Sequence, residues 1–184
     1  LCIVDTGGNH ADLTHEYAAI TDEMRAISNS LGCNYLRETT KQELLAKLPQ
    51  LRKDLGDRAV LRAMHFLSDN ERVTKQVEAL SNNDFERFKQ LIIESGQSSF
   101  CYLQNVFSCS APKEQGLSLA LCLAENLLAG KGAWRVHGGG FGGTTQNFVP
   151  VDLLGDFIAL MENAFGAGSC HVLSIRPVGG VEIR

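Results

Sequence analysis

The run Gly138-Gly139-Gly140-Phe141-Gly142-Gly143 constrains this chain more than any other stretch. Glycine loses more backbone entropy on folding than any other residue, so five in six positions are costly to order. A tight hairpin turn needs only one or two residues at positive φ. Five point to a close approach by something else, either a ligand or another stretch of backbone. Successive N–H groups in such a loop can line an anion-binding concavity. Contact with a phosphate or with a neighbouring loop is therefore favoured over a bare turn, and Phe141 reads as a plug packed beneath. The flanks, 133–137 and 144–149, alternate like strands. That context excludes the dinucleotide fingerprint that Gly138-x-Gly140-x-x-Gly143 formally matches, because the fingerprint runs from strand to loop to helix. No GK[ST] follows, so the loop is not a P-loop, and the further elements of a protein kinase are absent.

Upstream the periodicity is helical. A short strand is expected at 2–5, stopped by Gly7-Gly8, and Asn9 with Asp12 three residues on has capping-box spacing. Leu13, Tyr17, Ile20, Met24, Ile27 and Leu31 then recur at helical spacing, and Gly32 stops the helix. Further helices are expected at 41–48, ended before Pro49, at 57–80 with Asp69-Asn70 as a break, and at 84–94. Another opens at Ser110 with Pro112 and runs to Gly130 on a stripe of Leu117, Leu121, Ala124 and Leu128. Asp152 caps the next, and strands are expected at 171–176 and 181–184. Many helices with late strands predict an α+β class: one domain over 1–184, a small, mostly antiparallel sheet packed with helices.

The 184 residues carry a formal net charge of -4, with Lys and Arg scattered rather than clustered, which argues against nucleic-acid and anionic-membrane partners. The longest apolar run, 117–123, is far shorter than the roughly 20 residues of a membrane span. Six cysteines show no metal-ligand spacing and read as reduced thiols of a cytoplasmic protein, with Cys122 in the core. Trp134 also reads as core, and Glu71 with Arg72 as a solvated or paired helix face. Asp5 either meets a ligand or caps the turn at 6–9. His10 and His137 flank glycines near the loop and read as structural hydrogen-bonders. The chain opens without Met inside a strand pattern, so a fragment of a longer protein is expected.

Several stretches, in order, resemble the galactokinases of the GHMP kinase superfamily. "GAWRVHGGGFGGTTQNFVP" is similar to that superfamily's third motif, with Trp134 standing between Ala133 and Arg135. "HADLTHEY" resembles the segment in which a His precedes a Tyr by seven residues. "RAMHFLSDNERV", "ESGQSSF", "FSCSAPKEQGL" and "SIRPVGGVEIR" are similar to later galactokinase segments, with Gln97 where the family has His, and with Glu114 and Gln115 near the place of its Asp.

The resemblance implies a ferredoxin-like GHMP kinase C-terminal domain that transfers the ATP γ-phosphoryl group to the C1 hydroxyl of galactose. The implied ligands are ATP, Mg²⁺ and galactose, with ATP and Mg²⁺ held mainly by an N-terminal half. That half would be the domain's partner and would carry the catalytic groups, leaving this chain inactive alone. Tyr17 matches a sugar-contacting tyrosine and also lies on a core stripe. The glycines at 138–140 and 142–143, with Phe141, form the cleft loop. A non-catalytic sugar and ATP sensor, or another GHMP small-molecule kinase, are the alternatives.

Overall fold

The computed structural model describes residues 1–8, 13–180 and 182. Four strands form one antiparallel sheet in the order β2-β3-β1-β4: β1 (Cys2–Asp5), β2 (Ala133–Val136), β3 (Thr144–Phe148) and β4 (Cys170–Val172). Cys2 pairs with Asn147 on β3 and with Val172 on β4, so β1 is an inner strand. This order, with helices between β1 and β2 and between β3 and β4, is the ferredoxin-like arrangement.

Residues that share a face through register make the core. Cys2 and Val4 are buried against α6 (Gly116–Leu128) and α7 (Leu154–Phe165), where Ala124, Leu128, Phe157 and Met161 meet them. A second cluster is purely helical. It joins Ile27 of α1 (Thr14–Leu31), Leu44 of α2 (Lys41–Ala46), Leu51 of α3 (Leu48–Leu55) and Val60, Ala63 and Leu67 of α4 (Asp57–Ser81). Between the clusters runs α5 (Phe85–Ser98), packed on α4 and on β2.

Local chemistry fixes several helix ends. Gly32 takes a left-handed φ of 82° and donates to the last carbonyls of α1. Thr40 and Glu43 form a capping box on α2, and the Asp84 side chain caps α5. Elsewhere the expected bounds need correction. The segment expected to end before Pro49 instead turns at Lys47, and a separate α3 takes Pro49 into its first turn, where a missing N–H costs nothing. Asp69-Asn70 does not break α4, because Asp69 is tied to Arg72 at 2.9 Å and to Ser95 at 2.6 Å. Its neighbour Glu71 pairs with Lys41 at 2.7 Å.

Beyond Ser98 the chain continues α5 as a π-turn over Ser99–Leu103, closed by Gln104 at a left-handed φ of 57°. Hydroxyls of Ser108 and Ser110 hold the next segment in turns, so α6 starts at Gly116 and not at Ser110. Asp152 lies within a 3-10 turn, Val151–Leu153, and does not cap α7. The expected strand at 171–176 is instead β4, Cys170–Val172, paired with Cys2 to Val4, with the Leu173 N–H donating to the Leu1 carbonyl. Cys122 is exposed, one position off the inward stripe of α6, and Trp134 is half-buried against the core beneath the sheet. The Asn9 and Asp12 cap and most of the 181–184 strand lie outside the described residues. Among the described residues, no helix is long and apolar enough to cross a membrane.

Candidate functional site

The glycine loop connects β2 to β3 at the end of the sheet where β1 runs into the Gly7-Gly8 turn. Gly138, Gly140 and Gly143 take φ of 70°, 83° and 116°, so backbone conformation accounts for three of the five glycines. Close approach adds a second requirement. A Cβ on Gly139 would lie 2.7 Å from the Tyr17 ring, and one on Gly140 would overlap the Asn105 carbonyl oxygen. On another side, a Cβ on Gly8 would lie 2.9 Å from the Gly142 Cα, and the Thr6 N–H and hydroxyl both donate to the Gly143 carbonyl, at 2.9 and 2.8 Å. Neighbouring backbone is thus one partner of the loop. The Phe141 and Gly142 N–H groups donate to the Asn105 and Gly140 carbonyls, which removes them from any anion concavity.

Phe141 is 6% exposed and meets the Tyr17 ring edge-on, with centroids 5.3 Å apart. It fills the space under the loop at a left-handed φ of 60°, a conformation that costs a non-glycine residue about 1–3 kcal/mol. Tyr17, from the first turn of α1, donates its hydroxyl to the Gly140 carbonyl at 2.6 Å, and burial pushes its phenol pKa upward. Tyr17 therefore packs its ring under the loop and also uses its hydroxyl at the loop's apex.

Asn105, Glu16 and Ser108 had no sequence signal of their own at this site. Asn105 is 2% exposed and donates from Nδ2 to the Gly139 carbonyl at 3.1 Å, while its Oδ1 accepts from Ser99. Glu16 is buried beside Tyr17, and its carboxylate accepts a short hydrogen bond from the Ser108 hydroxyl. Adjacent residues of α1 therefore fasten the glycine loop and the 108–116 segment.

Between these two segments lies a cleft of about 670 Å³, walled by Thr6, Gly7, Gly8, Ser108, Gly116 and Gly142, with Lys113 at its edge. A smaller hollow of about 230 Å³ lies over the loop itself, between Tyr17 and His137. Asp5 accepts the Gly7 N–H at 2.9 Å and so serves the turn. His137 is exposed and bonds the Thr144 hydroxyl at 3.0 Å. His10 lies outside the described residues. Among the described residues, no three His, Cys, Asp or Glu side chains gather to hold a metal ion.

No family model matches the chain. Curated relatives are similar to it. A galactokinase of Actinobacillus pleuropneumoniae serotype 5b (strain L20) is 29% identical over 150 residues, 82% of this chain and 37% of the relative. A galactokinase of Thermotoga neapolitana is 33% identical over 141 residues, 77% of this chain and 36% of the relative. The chain thus spans little more than a third of the curated relatives it matches. Among solved structures, Lactococcus lactis galactokinase complexed with galactose superposes with a TM-score of 0.65 at 22% identity, over 89% of this chain and 40% of that one.

Proposed function

We propose that this galactokinase-like chain, similar to galactokinases in sequence and folded like one, is the C-terminal part of a sugar kinase that transfers the γ-phosphoryl group of ATP to the C1 hydroxyl of galactose. The observation that carries this reading is the junction of Tyr17 with Gly140, which brings a hydroxyl to the loop apex at the mouth of an open hollow. Phosphoryl transfer asks little covalent chemistry of the protein and much positioning and charge stabilisation. Tyr17 holds the loop apex through its hydroxyl, at the place where a sugar would meet the loop. The loop glycines keep side chains out of the space a sugar and a phosphate must share. Thr6, Gly7, Gly8 and Gly142 bring backbone without bulk to the neighbouring cleft, which Lys113 and Glu114 also line; the unencumbered backbone is the part that fits the phosphates of ATP.

Among the described residues, no cluster of carboxylates converges to hold a magnesium ion. No step is assigned to Mg²⁺ here, and the catalytic groups are assigned to a separate N-terminal part, which is this chain's partner. The six free thiols fit a cytoplasmic setting.

The test is coupled detection of ADP with ATP, Mg²⁺ and galactose. The chain alone should form none, because half a site forfeits most of a positioning advantage worth about 7–11 kcal/mol. Joined to a galactokinase N-terminal part, it should turn over, and Tyr17→Phe should raise the galactose KM roughly two- to tenfold with the ATP KM unchanged. Galactose-dependent ADP release by the chain alone would overturn the assignment of the catalytic groups. A joined protein that binds both ligands and releases no ADP would make it a sensor.

A further inference from the structure

Beside the cleft lies a second, partly open cavity of about 390 Å³, bordered by α1, α4, the π-turn and the 104–109 segment. Glu16 belongs to both places. Its carboxylate lines this cavity and holds the Ser108 hydroxyl, and Ser108 lines the cleft. Phe100 and Phe107 supply the apolar wall, meeting edge-on at 61° with ring centroids 6.4 Å apart. Arg58 and Arg62 supply the remaining charge. Both are engaged by Glu23, Arg58 through Nε at 3.0 Å and Arg62 through Nη1 at 2.9 Å. Glu16 in the lining and Glu23, which pairs with both arginines, together balance the two guanidinium charges. An anion entering would meet Glu16, and a cation would meet Arg58. What the walls accept is a neutral group that both donates and accepts.

The backbone around this cavity is irregular at two adjacent places, the π-turn and the left-handed Gln104 that ends it. Such conformations cost free energy and cluster at functional sites. The guanidinium of Arg62, 1% exposed, donates from Nε to the Leu103 carbonyl at 3.1 Å, so the cavity's own wall pins the irregular turn.

We infer that this cavity is a binding site for a small uncharged planar molecule with an amide-like edge, such as a nucleobase or other lactam. Its N–H faces Glu16, its carbonyl faces Arg58 and its ring lies against Phe100 and Phe107. The ligand N–H competes with Ser108 for the Glu16 carboxylate, so occupancy is felt by the 108–116 wall of the cleft. The inference goes beyond the sugar-kinase reading and does not depend on it, because the test measures binding to the chain as it stands.

Uracil is the probe, with benzoate and benzylamine as charged counterparts, followed by calorimetry and by hydrogen exchange. Uracil should bind saturably with a Kd of about 1 mM or tighter. Hydrogen exchange in 108–116 should change on binding. Arg58→Gln, at a half-exposed side chain, should weaken it roughly fivefold or more, the loss of one hydrogen bond. Cys109→Trp, which fills the cavity from an exposed position, should abolish it. No saturable uracil binding overturns the site. So does equal binding of benzoate or benzylamine, or affinity unchanged in both variants when their melting curves show the native fold.

Discussion

At Gly140 two separate demands fall on one residue, and its neighbour Gly138 carries only the first. Both have left-handed φ, but a Cβ on Gly138 meets nothing within 4 Å. Gly138→Ala should therefore cost about 1 kcal/mol, the ordinary penalty for a Cβ in that conformation. Gly140→Ala bears the same penalty and also drives a methyl into the Asn105 carbonyl, an overpacking worth a further 1–3 kcal/mol, so about 2–4 kcal/mol in all. Urea unfolding of the two variants measures this directly. Equal shifts of midpoint would mean that the loop does not rest on Asn105. The glycine run itself is legible from composition, since no regular element tolerates it. Its partners are not, because Asn105 reaches Gly139 across 34 residues of sequence and Ser108 reaches Glu16 across 92. Contacts at that separation are set by packing of whole helices, and no local pattern records them.

Between elements, α5 meets β2 closely at Gly96. A Cβ there would lie 2.9 Å from the Arg135 Cβ and 3.1 Å from the Trp134 carbonyl. Alanine is the better helix former by about 1 kcal/mol, but backbone of a strand must move to admit it. Gly96→Ala should thus destabilise by about 1 kcal/mol net, whereas Gly155→Ala in α7, with nothing within 4 Å, should stabilise by up to about 1 kcal/mol. Opposite signs in thermal melts are the expected result; two gains would deny the contact. Elements are legible where their ends carry their own chemistry, as at Gly32 and Asp84. They are misread where one residue type serves two purposes. Pro49 can close a helix or open one, and here it opens α3. Ser110 can cap a helix or hold a turn, and here it bonds Ser108.

At the scale of the whole molecule, α4, α5 and β2 are locked by a buried polar chain. Arg135 donates to Ser95 at 2.7 Å, Ser95 to Asp69, and His65 bonds Ser98 at 3.0 Å. Burial holds the His65 pKa below its ordinary value; Arg72 and Arg135 add to the effect and Asp69 opposes it. The folded protein thus binds fewer protons at this site than the unfolded chain. Its contribution is complete above about pH 6.5 and is lost as pH falls through that unfolded value toward the lower folded one. His65→Gln should flatten the stability profile between about pH 6.5 and 5 relative to the parent, by denaturant midpoints at each pH. An unchanged acid limb would mean that folding leaves the proton affinity of His65 unaltered. The position of β1 bears on how such a molecule is made. Its strand partners lie at the far end of the chain, with Asn147 bonding Cys2 across 145 residues. At 5–20 residues per second a ribosome needs about 7–30 s to deliver them. For that interval Val4 and Cys2 wait as a strand unpaired on both edges, while the helical cluster of α1 to α4 can already assemble. The sheet therefore closes last, and nascent chains should depend on whatever shields that strand during translation.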